Sequence, residues 1–91
     1  MTQVKRTLTI SNKLGLHARA ATQLVQLANT FSAEITLLKD GKSASAQSVL
    51  GLMMLEGSHQ KQVDVICQGD DAEAAMNAIE VLFSQKFNEE E

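Results

Sequence analysis

In the stretch SNKLGLHARAATQLVQLA, a histidine and an arginine stand two residues apart where a polar turn gives way to helical spacing. His17 offers a nucleophilic ring nitrogen. Arg19 offers a permanent charge on a planar fork that suits phosphate oxygens. Gly15 lets the backbone turn sharply ahead of them, so His17 becomes the N-cap of the coming helix or the residue before it. The first N–H groups of that helix, those of Ala18, Arg19 and Ala20, have no intrahelical carbonyl to bond, and the helix dipole adds to their positive charge. An anion site built around an imidazole suggests covalent transfer of a phosphoryl group, whose oxygens would meet these donors as charge gathers on them. The same positive surroundings disfavour imidazolium and leave the lone pair available. The alternative is a surface histidine with an unrelated arginine nearby, and spacing alone does not separate the two.

No metal is expected at this site. The only other histidine, His59, lies in GSHQK, read as an exposed turn, and no ligand cluster surrounds it. No cofactor is implied.

The chain that must position these groups has 91 residues, of which 44% are hydrophobic, enough for a single domain over residues 1–91 with one modest core. Three Phe, no Tyr, no Trp and a net charge of −3 argue against a nucleic-acid platform. Cys67 excludes an internal disulfide and fits a reducing compartment; in VDVICQ it is in phase with Val63 and Val65, as a buried strand residue would be. No apolar run approaches membrane-spanning length, and no cationic segment followed by an apolar one opens the chain. The expectation is a soluble, cytoplasmic monomer.

Val4, Leu8 and Ile10 at even spacing predict a strand over residues 3–10, with Arg6 breaking the alternation. Ala21, Leu24, Val25 and Ala28 predict an amphipathic helix from about Ala18 to Asn29, with Phe31 closing the core beyond it. SAEITLLKDGKSASA reads as a hairpin turning at Asp40-Gly41. Ser48 caps a short helix, VLGLMMLEG, that ends near Gly57. KQVDVICQ is a fourth strand. A last helix opens at Asp70, three residues before Glu73, and carries Ala75, Ile79, Leu82 and Phe83 on one face. The tail from about residue 88 to 91, NEEE, reads as a frayed, solubilising terminus. This order predicts an α+β fold: an antiparallel sheet with helices on one face and the other face largely open.

NKLGLHARAA, followed by DGKSASAQSVLGLMML, resembles the histidine phosphocarrier (HPr) family of the phosphoenolpyruvate-dependent phosphotransferase system, over almost the whole chain. VLGLMMLEG and the closing KFNEEE are most similar to its nitrogen-related branch. The resemblance implies a βαββαβα open-faced sandwich with sheet order 1-4-2-3 and three helices on one face. It implies phosphorylation of His17 on Nδ1 with Arg19 assisting, receipt of the phosphoryl group from an Enzyme I-type donor, and delivery to a IIA-type acceptor. Such a protein is a covalent shuttle rather than an enzyme with a small-molecule substrate of its own. Many members carry proline after the arginine; Ala20 stands there in this chain and restores a backbone donor. Partners are expected to meet Leu16, Ala18, Thr22, Val49, Leu50, Gly51, Met53 and Met54, with Val49, Leu50 and Met53 forming an exposed apolar patch. Leu52 and Leu55, with one methionine, belong to the core. Some members are also phosphorylated by a regulatory kinase at the serine matching Ser48, although a plain N-cap hydroxyl explains that residue. The other readings are a sugar-branch carrier, a regulatory module that docks according to the state of His17, and a ligand-binding domain unrelated to phosphate. The last predicts a concave pocket or basic face that the sequence does not suggest.

Overall fold

The computed structural model describes residues 2–89. Glu90 and Glu91 of the expected acidic tail lie outside the described residues. The elements are β1 (Gln3–Thr9), α1 (Ala18–Ala28), β2 (Glu34–Lys39), β3 (Lys42–Ser45), α2 (Val49–Met54), β4 (Gln62–Gln68) and α3 (Ala72–Ser84), followed by a 3-10 turn at Lys86–Asn88. All strand pairs are antiparallel, in the order β1-β4-β2-β3. The expected architecture is the one observed.

Strand alternation builds the core. Ile35, Leu37, Val63, Val65 and Cys67 point to the helix-covered face and are buried there with Leu24 of α1, Leu52 of α2 and Met76 and Ile79 of α3. Thr36, Asp64 and Ile66 take the intervening positions and remain partly exposed. Arg6, the exception to the β1 pattern, lies opposite Val65 and so on the helix side of the edge strand. Its guanidinium reaches over α3 to Glu80, to Glu73 at 3.0 Å and to Asn77 at 3.1 Å. Cys67 is buried and unpaired in a disulfide, and burial pushes its thiol up to about 11.

The hairpin turns as expected: Asp40 and Gly41 both have positive φ, 51° and 80°, the backbone of a two-residue turn matched to strand twist. Helix α3 departs from expectation. Its N-cap is Asp71 rather than Asp70, and the Asp71 carboxylate does not cap the helix. It accepts instead from the N–H groups of Ser32 at 2.9 Å and Ala33 at 2.8 Å, tying the entry to β2 onto the start of α3.

The chain after α3 is not frayed as far as it is described. Lys86, Phe87 and Asn88 have φ of 57°, 53° and 62°, a left-handed turn that reverses the chain. Phe87 is fully buried, its ring 4.9 Å from that of Phe83. Asn88 Nδ2 donates to Gln23 Oε1 of α1 at 3.0 Å. A buried aromatic and a side-chain tie to α1 hold the tail against the body of the fold.

Candidate functional site: an imidazole at a helix N-cap

His17 is the N-cap of α1. Its backbone is extended (φ −76°, ψ 179°), and its carbonyl accepts the first helical bond, from Ala21 N–H at 2.9 Å. Ser, Thr, Asn and Asp usually serve here through a side-chain oxygen. In this chain the imidazole does so: the N–H of Arg19 donates to His17 Nδ1 at 3.3 Å. The side chain keeps 29% of its surface accessible, so the ring stands at the helix mouth rather than in the interior. Of the three amides expected to meet phosphate, that of Arg19 is thus already engaged with the ring nitrogen. Arg19 is exposed, and Ala20 is buried beneath the first turn.

The preceding loop fixes where the ring sits. Gly15 has φ +71°, and Leu16 N–H donates to the Gly57 carbonyl at 2.8 Å, which seats the loop on the segment after α2. Asn12 is fully buried, and its Nδ2 donates to the Gly15 carbonyl at 2.7 Å and to Glu89 Oε2 at 3.1 Å. The other ring nitrogen of His17, Nε2, is hydrogen-bonded to that same Oε2 of Glu89. Expectation described an all-positive surrounding for the ring. The structure adds a carboxylate on the side away from Nδ1.

Neither Asn12 nor Glu89 was singled out from sequence. Asn12, three residues before a glycine, carries a local turn signal. Glu89 lies 72 residues from His17 and carries no such signal.

Several expected interface residues need sorting. Leu16 is 4% exposed and packs into the core beside Gly57, so its side chain is not part of the free surface around His17. Ala18 and Thr22 are exposed on α1. On α2, Leu50 is 69%, Met54 64% and Met53 40% exposed, whereas Val49 and Gly51 are half-buried. Leu52 and Leu55 are core as expected, but neither methionine of this helix is. The apolar patch therefore shifts from Val49 to Met54. Leu14, on the loop leading to His17, is a further exposed apolar side chain, at 71%, that the sequence reading did not include. Ser48 Oγ accepts from Gly51 N–H at 2.9 Å, the expected N-cap. His59 lies in an exposed turn, and no group of three or more metal-ligating side chains occurs among the described residues.

A family model described as the PTS HPr component phosphorylation site matches residues 4–85. The chain belongs to the HPr family. It is 54% identical to the phosphocarrier protein NPr of Shewanella violacea over 98% of each chain. It is 42% identical to the phosphocarrier protein HPr of Xylella fastidiosa, over 91% of this chain and 93% of that one. Among solved structures, HPr of Thermoanaerobacter tengcongensis superposes with a TM-score of 0.89 at 43% identity, each chain covered in full. The resemblance read from the two motifs is borne out, as are the HPr fold and its strand order. No helix among the described residues is long and apolar enough to cross a membrane. Glu89 lies beyond the stretch that the family model matches.

Proposed function

We propose that this HPr-family phosphocarrier carries its phosphoryl group on Nδ1 of His17, taking it from an Enzyme I-type donor and passing it to a IIA-type acceptor. The observation that carries the reading is the Arg19 N–H directed at Nδ1 from the helix mouth. A nitrogen that accepts a hydrogen bond holds its lone pair in the ring plane, where an incoming phosphorus must arrive. In the transfer, the donor's P–N bond breaks as the Nδ1 lone pair forms a new one. The Arg19 N–H then loses its ring acceptor and turns to a phosphate oxygen. The amides of Ala18 and Ala20 belong to the same helix start, and with the exposed Arg19 side chain they supply the donors a developing PO₃ group requires.

The partner surface is the apolar face of α2, Leu50, Met53 and Met54 with half-buried Val49 and Gly51, together with Leu14, Ala18 and Thr22 around His17. Flexible methionines suit a surface that fits a donor and an acceptor in turn. The nitrogen-related branch is supported by the 54% identity to the NPr of Shewanella violacea, while the NPr of Escherichia coli and the HPr of Xylella fastidiosa stand level at 42%.

The test is incubation with phosphoenolpyruvate, magnesium and purified Enzyme I proteins of the nitrogen and sugar branches. Expected is one acid-labile, alkali-stable phosphate per chain, formed faster with the nitrogen-type donor and absent in His17→Ala. A chain unmodified by either donor contradicts the reading, and a faster sugar-type reaction reassigns the branch.

A further inference from the structure

Glu89 stands in a place no solvated tail residue would take. The left-handed turn at Lys86–Asn88 and buried Phe87 fold the chain back, Asn88 is tied to Gln23, and the Glu89 side chain is left only 8% exposed. Its Oε2 accepts from Asn12 Nδ2 at 3.1 Å and bonds Nε2 of His17. Asn12 is itself fully buried and also holds the Gly15 carbonyl, so the carboxylate is anchored to the loop that seats the histidine.

We propose that Glu89 is a positioning residue for His17: it holds the ring proton on Nε2, which keeps Nδ1 as the nucleophile, and it balances the charge the ring acquires when phosphorylated. This rests on His17 being the phosphorylated residue. The chemistry follows from counting protons. An ionised carboxylate only accepts, so the nitrogen facing it carries the hydrogen; Nδ1 accepts from Arg19 N–H, so it carries none. A neutral imidazole has one N–H, and both partners assign it to Nε2. The carboxylate thus acts on His17 as an outer carboxylate acts on a metal-bound histidine, fixing tautomer and ring orientation together.

The second role appears during transfer. When the Nδ1 lone pair becomes the N–P bond, the proton on Nε2 stays and the ring becomes cationic. The Nε2–H to Glu89 hydrogen bond then becomes charge-assisted on both sides and strengthens. When the phosphoryl group leaves, its bonding pair returns to Nδ1 and the ring is neutral again. No proton moves in either direction, so the carrier cycles without waiting on solvent.

The test uses the full chain with ¹⁵N-labelled histidine. Long-range ¹H–¹⁵N correlations are recorded for wild type, Glu89→Ala and Glu89→Gln, with amide spectra as a check of fold. Wild type is expected to show a pyrrole-like Nε2 and a pyridine-like Nδ1, and Glu89→Ala a mixture of both tautomers. Phosphorylation by the donor that modifies wild type should slow about tenfold in Glu89→Ala, the lower end of what losing an orienting partner costs a ring ligand. Glu89→Gln keeps an acceptor but not the charge. It should retain more of the Nε2–H form than Glu89→Ala while its phosphorylated fraction at equilibrium with the donor still falls. Wild-type tautomer balance and rate in Glu89→Ala overturn the proposal. The tautomer measurement needs no phosphate, so failure of the carrier reading itself, seen as an unmodified wild type or a modified His17→Ala, is told apart from failure of this one.

Discussion

Gly15 and Gly57 meet backbone to backbone: a Cβ built on Gly15 would lie 2.3 Å from the Gly57 carbonyl oxygen, the same oxygen that accepts from Leu16 N–H at 2.8 Å. The approach that seats His17 on the helix mouth therefore depends on a missing side chain as well as on a positive φ. Gly41 provides the comparison, since its φ is +80° but nothing lies within 4 Å of its would-be Cβ. Gly41→Ala should lose about 1 kcal/mol, the cost of left-handed backbone alone. Gly15→Ala should lose about 2–4 kcal/mol, because backbone must also shift. Urea unfolding midpoints of the two variants check the difference, and equal losses would show that the contact is easily relieved.

Leu16 precedes the histidine, yet its side chain points inward. Leu16→Ala should cost about 2–4 kcal/mol, as truncation of a packed leucine does. Its effect on phosphorylation should disappear when rates are compared at equal folded fraction. Chemical denaturation combined with the donor assay measures both. A Leu16→Ala protein of wild-type stability that is poorly phosphorylated would return this residue to the partner surface.

The difference between Leu16 and Glu89 indicates what the chain made legible. Period-two and helical spacing gave the strands, the helices and their order, because burial of one face imposes those periods directly. The placement of His17 and Arg19 at a helix start was legible because such a start follows from the local run of residues. The inward turn of Leu16 was not, since it depends on Gly57, forty-one residues further along the chain and brought close only by the fold. Nor was the docking of Glu89: NEEE reads as solvated tail unless the reversal at Phe87 is known, and three successive non-glycine residues with positive φ have no simple sequence signature. Arg6 was noticed as a break in a pattern, but its reason, Glu73 and Glu80 on α3, lies outside β1.

Asp71 gives the stability a pH dependence of definite sign. The N–H of Ser32, then that of Ala33, holds its carboxyl below the ordinary value of 3.8 against the opposing effect of desolvation. A folded-state value below the unfolded one means that the contribution is complete from about pH 5 upward, where the unfolded carboxyl is also ionised. It fades as the pH falls towards and through the depressed folded value. Asp71→Asn should therefore be less stable than wild type near neutrality, and the gap should narrow steadily from pH 5 to pH 2. Thermal melts across that range read it directly. A gap that stays constant with pH would mean that the contacts to Ser32 and Ala33 owe nothing to the charge.

The face of α2 separates docking from folding. Leu50 and Met54 are exposed by 69% and 64%, so burying neither in the core leaves stability largely indifferent to them, within about 0.5 kcal/mol for a polar replacement. A charge placed there, however, must be desolvated against whatever apolar surface a partner brings. Leu50→Glu and Met54→Glu should each raise the KM for the phosphodonor protein about tenfold or more, with kcat nearly unchanged because the imidazole and its donors are untouched. Leu14→Glu, on the loop beside His17, should do the same if the apolar surface is continuous around the ring. Steady-state kinetics with the carrier as varied substrate distinguish the cases. A fall in kcat at constant KM would mean that these side chains act on the chemistry, and an unchanged KM would move the docking surface off α2.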